Sequence, residues 1–203
     1  MKKITVLLFL SIVSIVSAQR YNILSGDFKN LKGISEYNAT FDYKDLQVNG
    51  FESEEAYLKE KVEKRQNYDN GKDIDGKAEK FKNDWYADRQ NKYEPAFINY
   101  FNSKFEKDKV VIDNNRNAKY TMNIKTIWIY PGYSVVAAAE PAKISAIITV
   151  TETANPKNIL LEIEFDKSIG LPQGTFDFDQ GYRIAGAYEK LAKNMTIQLK
   201  RFL

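Results

Sequence analysis

The sequence predicts an α+β fold: a four-stranded, mostly antiparallel sheet with helices packed on one face, in the order strand–helices–three strands–helix. Three observations carry this expectation. Residues 34–48 alternate apolar and polar side chains with a period of two. Residues 53–108 hold helical spacings with large aromatics among them. Residues 119–165 hold three further alternating stretches, followed by a helical stripe that runs to the C-terminus.

Residues 19–33 show little periodicity and read as an exposed arm. In the first strand Tyr37, Ala39, Phe41 and Tyr43 alternate with Asn38, Thr40 and Asp42, and Asn49-Gly50 marks the turn that follows. Ser53 caps a helix whose first turn holds Glu54 and Glu55, where carboxylates complement the positive end of the dipole. This helix ends between Gln66 and Asn70, and a second begins at about Lys77 with Ala78, Phe81 and Trp85 in step. Tyr93, Phe97, Phe101 and Phe105 then recur every four residues, a stripe that reads as core-facing. Pro95 either kinks that helix or restarts it as a first residue.

DNNRN at 113–117 is a loop. The next strand places Tyr120, Met122, Ile124, Trp128 and Tyr130 on one face. Ile144, Ala146, Ile148 and Val150 share a face in the strand after it, and Ile159, Leu161, Ile163 and Phe165 in the last. Asn155-Pro156-Lys157-Asn158 is the turn between those two. The opposite faces carry Lys119, Lys125, Lys143, Glu162 and Glu164, the half-solvated pattern of antiparallel sheets. Ile184, Tyr188, Leu191, Met195, Leu199 and Phe202 give the clearest helix, with Arg183, Lys190, Lys193 and Lys200 away from the stripe.

The opening residues, MKKITVLLFLSIVSIVSAQ, have the layout of a secretory signal peptide: two lysines, a short apolar run, then Val16-Ser17-Ala18 before Gln19. Residues 1–18 are therefore set aside as a leader and residues 19–203 read as a single α+β domain, periplasmic or secreted, with outer-membrane association open. No later stretch is long and apolar enough for a transmembrane span. With the two leader lysines gone, 30 basic residues fall to 28 against 27 acidic ones. The signs alternate along the chain, so no nucleic-acid footprint is predicted. The chain has no Cys and no His. That excludes disulfides, Ser-His-Asp and Cys-His catalysis, and removes the favoured zinc and copper ligands. No cofactor is predicted, and carboxylate, Lys or Tyr chemistry remains.

Three stretches qualify as sites. YDNGKDIDGKAE (68–79) brings Asp69, Asp73 and Asp75 together with Gly71 and Gly76. Aligned on Gly76, a calcium loop would begin at Gly71 and end at Lys82 instead of a bidentate Glu, so the stretch reads as an interhelical loop with no metal. YPGYSVVAAAEPAKI (130–144) is an apolar loop, and Tyr133, Val135 and Val136 are its candidate binding residues, either packed internally or contacting a partner. TFDFDQGYRIAGAYEKLAK (175–193) gathers Asp177, Asp179 and Arg183 around a helix start. They form either a polar pocket or a cap, with Asp179 accepting backbone N–H bonds and Arg183 paired to an acid. Gly181 and Gly186 inside that helix signal a close approach by another backbone. Glu162 and Glu164 share the solvated face of one strand. Asn38-Ala-Thr40 and Asn194-Met-Thr196 match the glycosylation pattern and are discounted for a bacterial leader.

DLQVNGFESEEAYLKEKVEK, DWYADRQNKYEPAFINYFN and FDFDQGYRIAGAYEKLAKNM together resemble uncharacterised exported envelope proteins of Gram-negative bacteria. The element order is similar to the amino-terminal domain of TolB and related auxiliary lipoproteins. It departs from them in the helical insertion at 53–108 and in lacking a Cys after the leader. The resemblance implies a periplasmic role in protein–protein contact. The leading expectation is a non-enzymatic module that binds an envelope protein or cell-wall component. The alternatives are a carboxylate-dependent hydrolase of envelope polysaccharide, and a small-ligand binder with an apolar cavity beside Trp85, Tyr93 or Trp128.

Overall fold

The computed structural model describes residues 20–68, 73, 75–105, 110–113, 115–135 and 137–202. The expected leader lies outside them. The strands are β1 (Arg20–Gly26), β2 (Glu36–Asp42) and β3 (Gln47–Val48). Helices α1 (Glu54–Tyr68), α2 (Lys77–Asp88) and α3 (Glu94–Ser103) follow. Then come β4 (Val111–Asp113), β5 (Tyr120–Tyr130), β6 (Tyr133–Val135), β7 (Ala138–Glu140), β8 (Lys143–Glu152), β9 (Asn155–Ile169) and α4 (Gln180–Leu199). Among the described residues no helix is long and apolar enough to cross a membrane.

The α+β class holds, but the sheet is larger than four strands and is mixed. Seven strands run in the order β1-β9-β8-β5-β2-β4, with β3 also on β5, and β6 and β7 form a separate hairpin. The pairs β1–β9, β9–β8 and β8–β5 are antiparallel, whereas β2 runs parallel to both β5 and β4. Parallel neighbours need a crossover of a dozen or more residues. Here α1 to α3 lie in the chain between β2 and its two parallel neighbours and supply it.

The extra strands are those with weak local patterning. The expected arm is edge strand β1, exposed at every position, and no alternation marks it because neither of its faces is buried. Strand β4 is three residues long, held where Asn102 bonds both the N–H and the C=O of Ile112. Asn155 to Asn158 are not a turn: β9 begins at Asn155, paired with Glu152, so the hairpin closes through Thr153-Ala154. Ile159 is consequently exposed, while Leu161, Ile163 and Phe165 are buried as expected.

The core lies between the sheet and the helices. Met122 and Ile124 on β5, Ile144 to Val150 at alternate positions on β8, and Ile184, Tyr188, Leu191, Met195 and Leu199 on α4 are all completely buried. Each such aliphatic side chain contributes roughly 1.5–3 kcal/mol relative to exposure. The aromatic stripe of α3 faces this core: Phe97 and Phe101 are buried, and Tyr93 stacks on Tyr188 with ring centroids 5.3 Å apart. A π-helical turn, Arg89–Tyr93, separates α2 from α3, and Pro95 sits in the first turn of the restarted helix.

In β5 the predicted face breaks at residue 127. The register with β8 shifts between Thr126 and Trp128, a β-bulge. Ile129 is buried in place of Trp128 and Tyr130, which turn toward the opposite, open face. One extra residue in a strand inverts every side chain beyond it.

Candidate functional site

Two sequence stretches some 45 residues apart come together at the β6–β7 hairpin. The hairpin is antiparallel, pairing Tyr133 with Glu140 and Val135 with Ala138. Tyr133 (44%) and Val135 (57%) are exposed, and Val136 lies outside the described residues. Beside the hairpin runs the segment from Gly170 into a 3-10 turn, Gly174–Phe178, which leads to α4. Between them is a pocket of about 210 Å³, lined by Tyr133, Ala139, Pro141, Leu171, Pro172, Asp177 and Arg183 among others.

Arg183 holds the two walls together. Its Nε donates to the Pro131 carbonyl at 3.2 Å and one terminal nitrogen to that of Gly132 at 3.4 Å. The other donates to the carbonyls of Asp177 and Phe178 at 2.7 and 3.1 Å. Among the described residues the expected ion pair with an acid is not formed; four neutral carbonyls take the guanidinium instead. The reason is geometric, because the planar fork of donors fits several backbone oxygens at once. Burial lowers the Arg183 pKa, opposed by Asp179 and Asp177.

The acids have other partners. Asp177 accepts the Gln173 N–H at 3.0 Å, closing the 3-10 turn. Asp179 caps α4, accepting from the N–H of Gly181 (2.7 Å) and of Tyr182 (3.3 Å), as the capping alternative predicts. It also meets Lys92 at 3.1 Å, and Lys92 reaches Asp88 at 2.9 Å. Burial opposes ionisation of Asp179, but the Lys92 ammonium and the two backbone N–H groups outweigh it and hold its pKa below the ordinary 3.8. Asp88 is pushed up by burial against the pull of Lys92. At the other rim Glu140 accepts from Lys143 and from the Tyr130 hydroxyl, each at 2.7 Å. Those bonds lower the Glu140 pKa and push that of Tyr130 up to about 12.

The glycines of α4 mark two kinds of close approach. A Cβ on Gly186 would lie 2.3 Å from the Leu171 carbonyl oxygen, and the Gly186 carbonyl accepts the Leu171 N–H at 3.0 Å. The segment that floors the pocket is thus docked directly on the α4 backbone. At Gly181 the neighbour is a side chain, not a backbone: a Cβ would meet the Asp88 carboxylate at 1.9 Å.

The two most exposed large rings nearby are Phe176 (56%) and Phe178 (70%), in the same stretch as the acids. Phe176 packs on Tyr182, 4.8 Å between centroids, and otherwise faces out. The available signal was their alternation with Asp177 and Asp179 directly before a helix cap. Tyr133 lines the pocket, and Val135, Phe176 and Phe178 lie on the two segments that flank it.

No protein-family model, no curated protein and no solved structure matches this chain.

The remaining candidates are placed as follows. In the 68–79 stretch Asp69 and Gly71 lie outside the described residues. Asp73 accepts from the N–H groups of Ala78 and Glu79 at the start of α2, and Asp75 pairs with Lys77. Among the described residues no cluster of three or more acids is arranged to hold a metal. Glu162 and Glu164 are on the open face, where Glu162 accepts from Thr149 at 3.3 Å. Trp85 and Tyr93 are buried and line none of the described cavities; the Trp85 indole N–H donates to Glu54, which also pairs with Arg89. Trp128 does border a groove, on the face away from the helices.

Proposed function

We propose that this protein is an exported, non-enzymatic cell-envelope module that seats an apolar side chain of an envelope partner in the β6–β7 pocket. The observation that carries this reading is a small pocket whose charged lining groups, Arg183, Glu140 and Asp177, are bonded within the chain, with exposed Tyr133 in its wall and exposed Val135, Phe176 and Phe178 on the two segments that flank it. At about 210 Å³ the pocket is smaller than the roughly 300–1,000 Å³ of small-molecule sites. It matches a single anchoring side chain, the unit on which protein interfaces concentrate their energy. Exposed apolar patches of this kind mark interaction surfaces. Glu140 and Asp177, the carboxylates at the pocket, both have bonded partners, which favours binding over carboxylate chemistry there. The cellular setting rests on the leader, with a periplasmic or secreted location and outer-membrane association as the proposed range.

A photo-crosslinking amino acid placed at Val135 tests the reading, with the same group at Thr149 on the open face as control. In the native envelope fraction the Val135 probe should capture a defined partner that the Thr149 probe does not. Capture should be lost in a Phe176→Ser/Phe178→Ser background. Equal capture from both positions, or none, would sink it.

A further inference from the structure

The open face of the sheet carries a second groove, independent of the pocket. Where β3, β5, β8 and β9 meet, a depression of about 420 Å³ is lined by Asp45, Gln47, Trp128, Glu164, Asp166 and Lys167. Several departures from regular sheet converge on it. The β5 bulge turns Trp128 outward. The β8–β9 register shifts between Ile144 and Ala146, where the buried Ser145 hydroxyl donates to Asp166 at 3.1 Å and accepts the Lys167 N–H at 3.0 Å. Asp45 (φ 61°) and Lys167 (φ 49°) are the two non-glycine residues with positive φ among the described residues, and both line this groove. Bulges re-aim side chains, and a left-handed lysine is costly enough to need support from its surroundings.

Among the described residues the Trp128 indole N–H, the Gln47 amide and the Asp45 and Glu164 carboxylates meet no hydrogen-bonding protein partner. Gln47 sits directly beside Trp128 in the β3–β5 pairing. An aromatic plane edged by an amide and by acceptor oxygens suits the apolar C–H face and outward hydroxyls of a sugar ring. Charge argues against the alternatives. The Asp45 and Glu164 carboxylates repel an anion. A cation would only replace Lys167, whose ammonium already lies 5.7 Å from the Trp128 ring centroid. That distance is near the outer limit of a cation–π contact, so a neutral ring can displace the flexible side chain easily. The volume lies within the range of small-molecule sites.

We propose that this groove binds a neutral saccharide, one sugar ring stacked on Trp128 and its hydroxyls bonded by Asp45, Gln47 and Glu164. Acrylamide quenching of tryptophan fluorescence tests it. The chain has two tryptophans, and Trp85 is buried, so quencher reports on Trp128. Chitotriose, cellotriose and maltotriose are titrated in turn. At least one should shield Trp128 with a Kd on the order of 1 mM. Gln47→Ala and Glu164→Gln, both on the surface of a folded chain, should each weaken shielding at least about threefold, near 0.7 kcal/mol. Tyr133→Ser/Val135→Ser should leave it unchanged, which separates this site from the pocket. No shielding by any of the three sugars overturns the proposal. So does shielding unaltered in both groove variants, or shielding by trilysine alone, which would assign the groove to a cationic peptide.

Discussion

The β6–β7 pocket and the Trp128 groove use the same residue types to opposite ends. At the pocket, Arg183, Glu140 and Asp177 each bond to the chain itself, and what faces outward is apolar. At the groove, among the described residues, the Gln47 amide, the Trp128 indole N–H and the Asp45 and Glu164 carboxylates are left without hydrogen-bonding protein partners, and the apolar residues of the same strands, Ile163 and Phe165, lie on the other side in the core. The chemistry a surface offers is thus what remains after internal bonding is complete. A cluster such as Asp177, Asp179 and Arg183 is polar in sequence yet builds an apolar site, because its polar atoms are turned inward to caps and carbonyls.

The sharpest way to break the pocket is Gly186→Ala. The obstructing atom is the Leu171 carbonyl, backbone that cannot swing aside. Overpacking of this kind costs about 2–3 kcal/mol, read as a lower midpoint in urea unfolding. Arg183→Met should cost about 1–2 kcal/mol, because carbonyls of part-buried segments lose their donor. Hydrogen exchange should show it locally, with amides of β6 and β7 exchanging faster while those of β8 keep their protection.

The α4 cap tests whether the inward bonding is electrostatic. Asp179 has a folded-state pKa below 3.8, so its contribution to stability is complete above that value and is lost as pH falls through the lower folded value. Asp88 has the opposite shift and softens the loss. Asp179→Asn should therefore flatten the fall of Tm between about pH 4 and pH 2, and an unchanged slope would remove Lys92 pairing from the account.

At the groove, Lys167→Gly relieves a left-handed conformation, offset by the greater chain freedom of glycine. A net gain of about 0.5–1 kcal/mol in thermal unfolding is expected. A loss would mean that the lysine is not strained there. The smallest effect belongs to Tyr133→Ser/Val135→Ser. Both side chains are exposed, so stability should move by less than about 0.5 kcal/mol while partner capture disappears.

Much of the core was legible because its signal is local. The stripe from Ile184 to Leu199 and the alternation of β8 each bury one face, and period alone identifies that face. The residues of the candidate site were also legible as separate stretches: Tyr133 and Val135 as an apolar loop, Asp179 as a cap. Their meeting was not, since nothing near Arg183 in the chain specifies the carbonyls of Pro131 and Gly132. Phe176 and Phe178 were hidden for a related reason: a 3-10 turn has no long repeat to reveal which side faces solvent.

By itself, the sequence determined the α+β class, the helical and strand periods, the core-facing stripes and the absence of thiol and imidazole chemistry. These follow from side-chain type and spacing along one element. Tertiary structure alone decided the seven-stranded mixed sheet, the edge strand β1, the outward turn of Trp128 and the joining of the hairpin to α4. These depend on which strand pairs with which and in what register, and a single bulged residue at 127 is enough to reverse a face that period-two patterning would have buried.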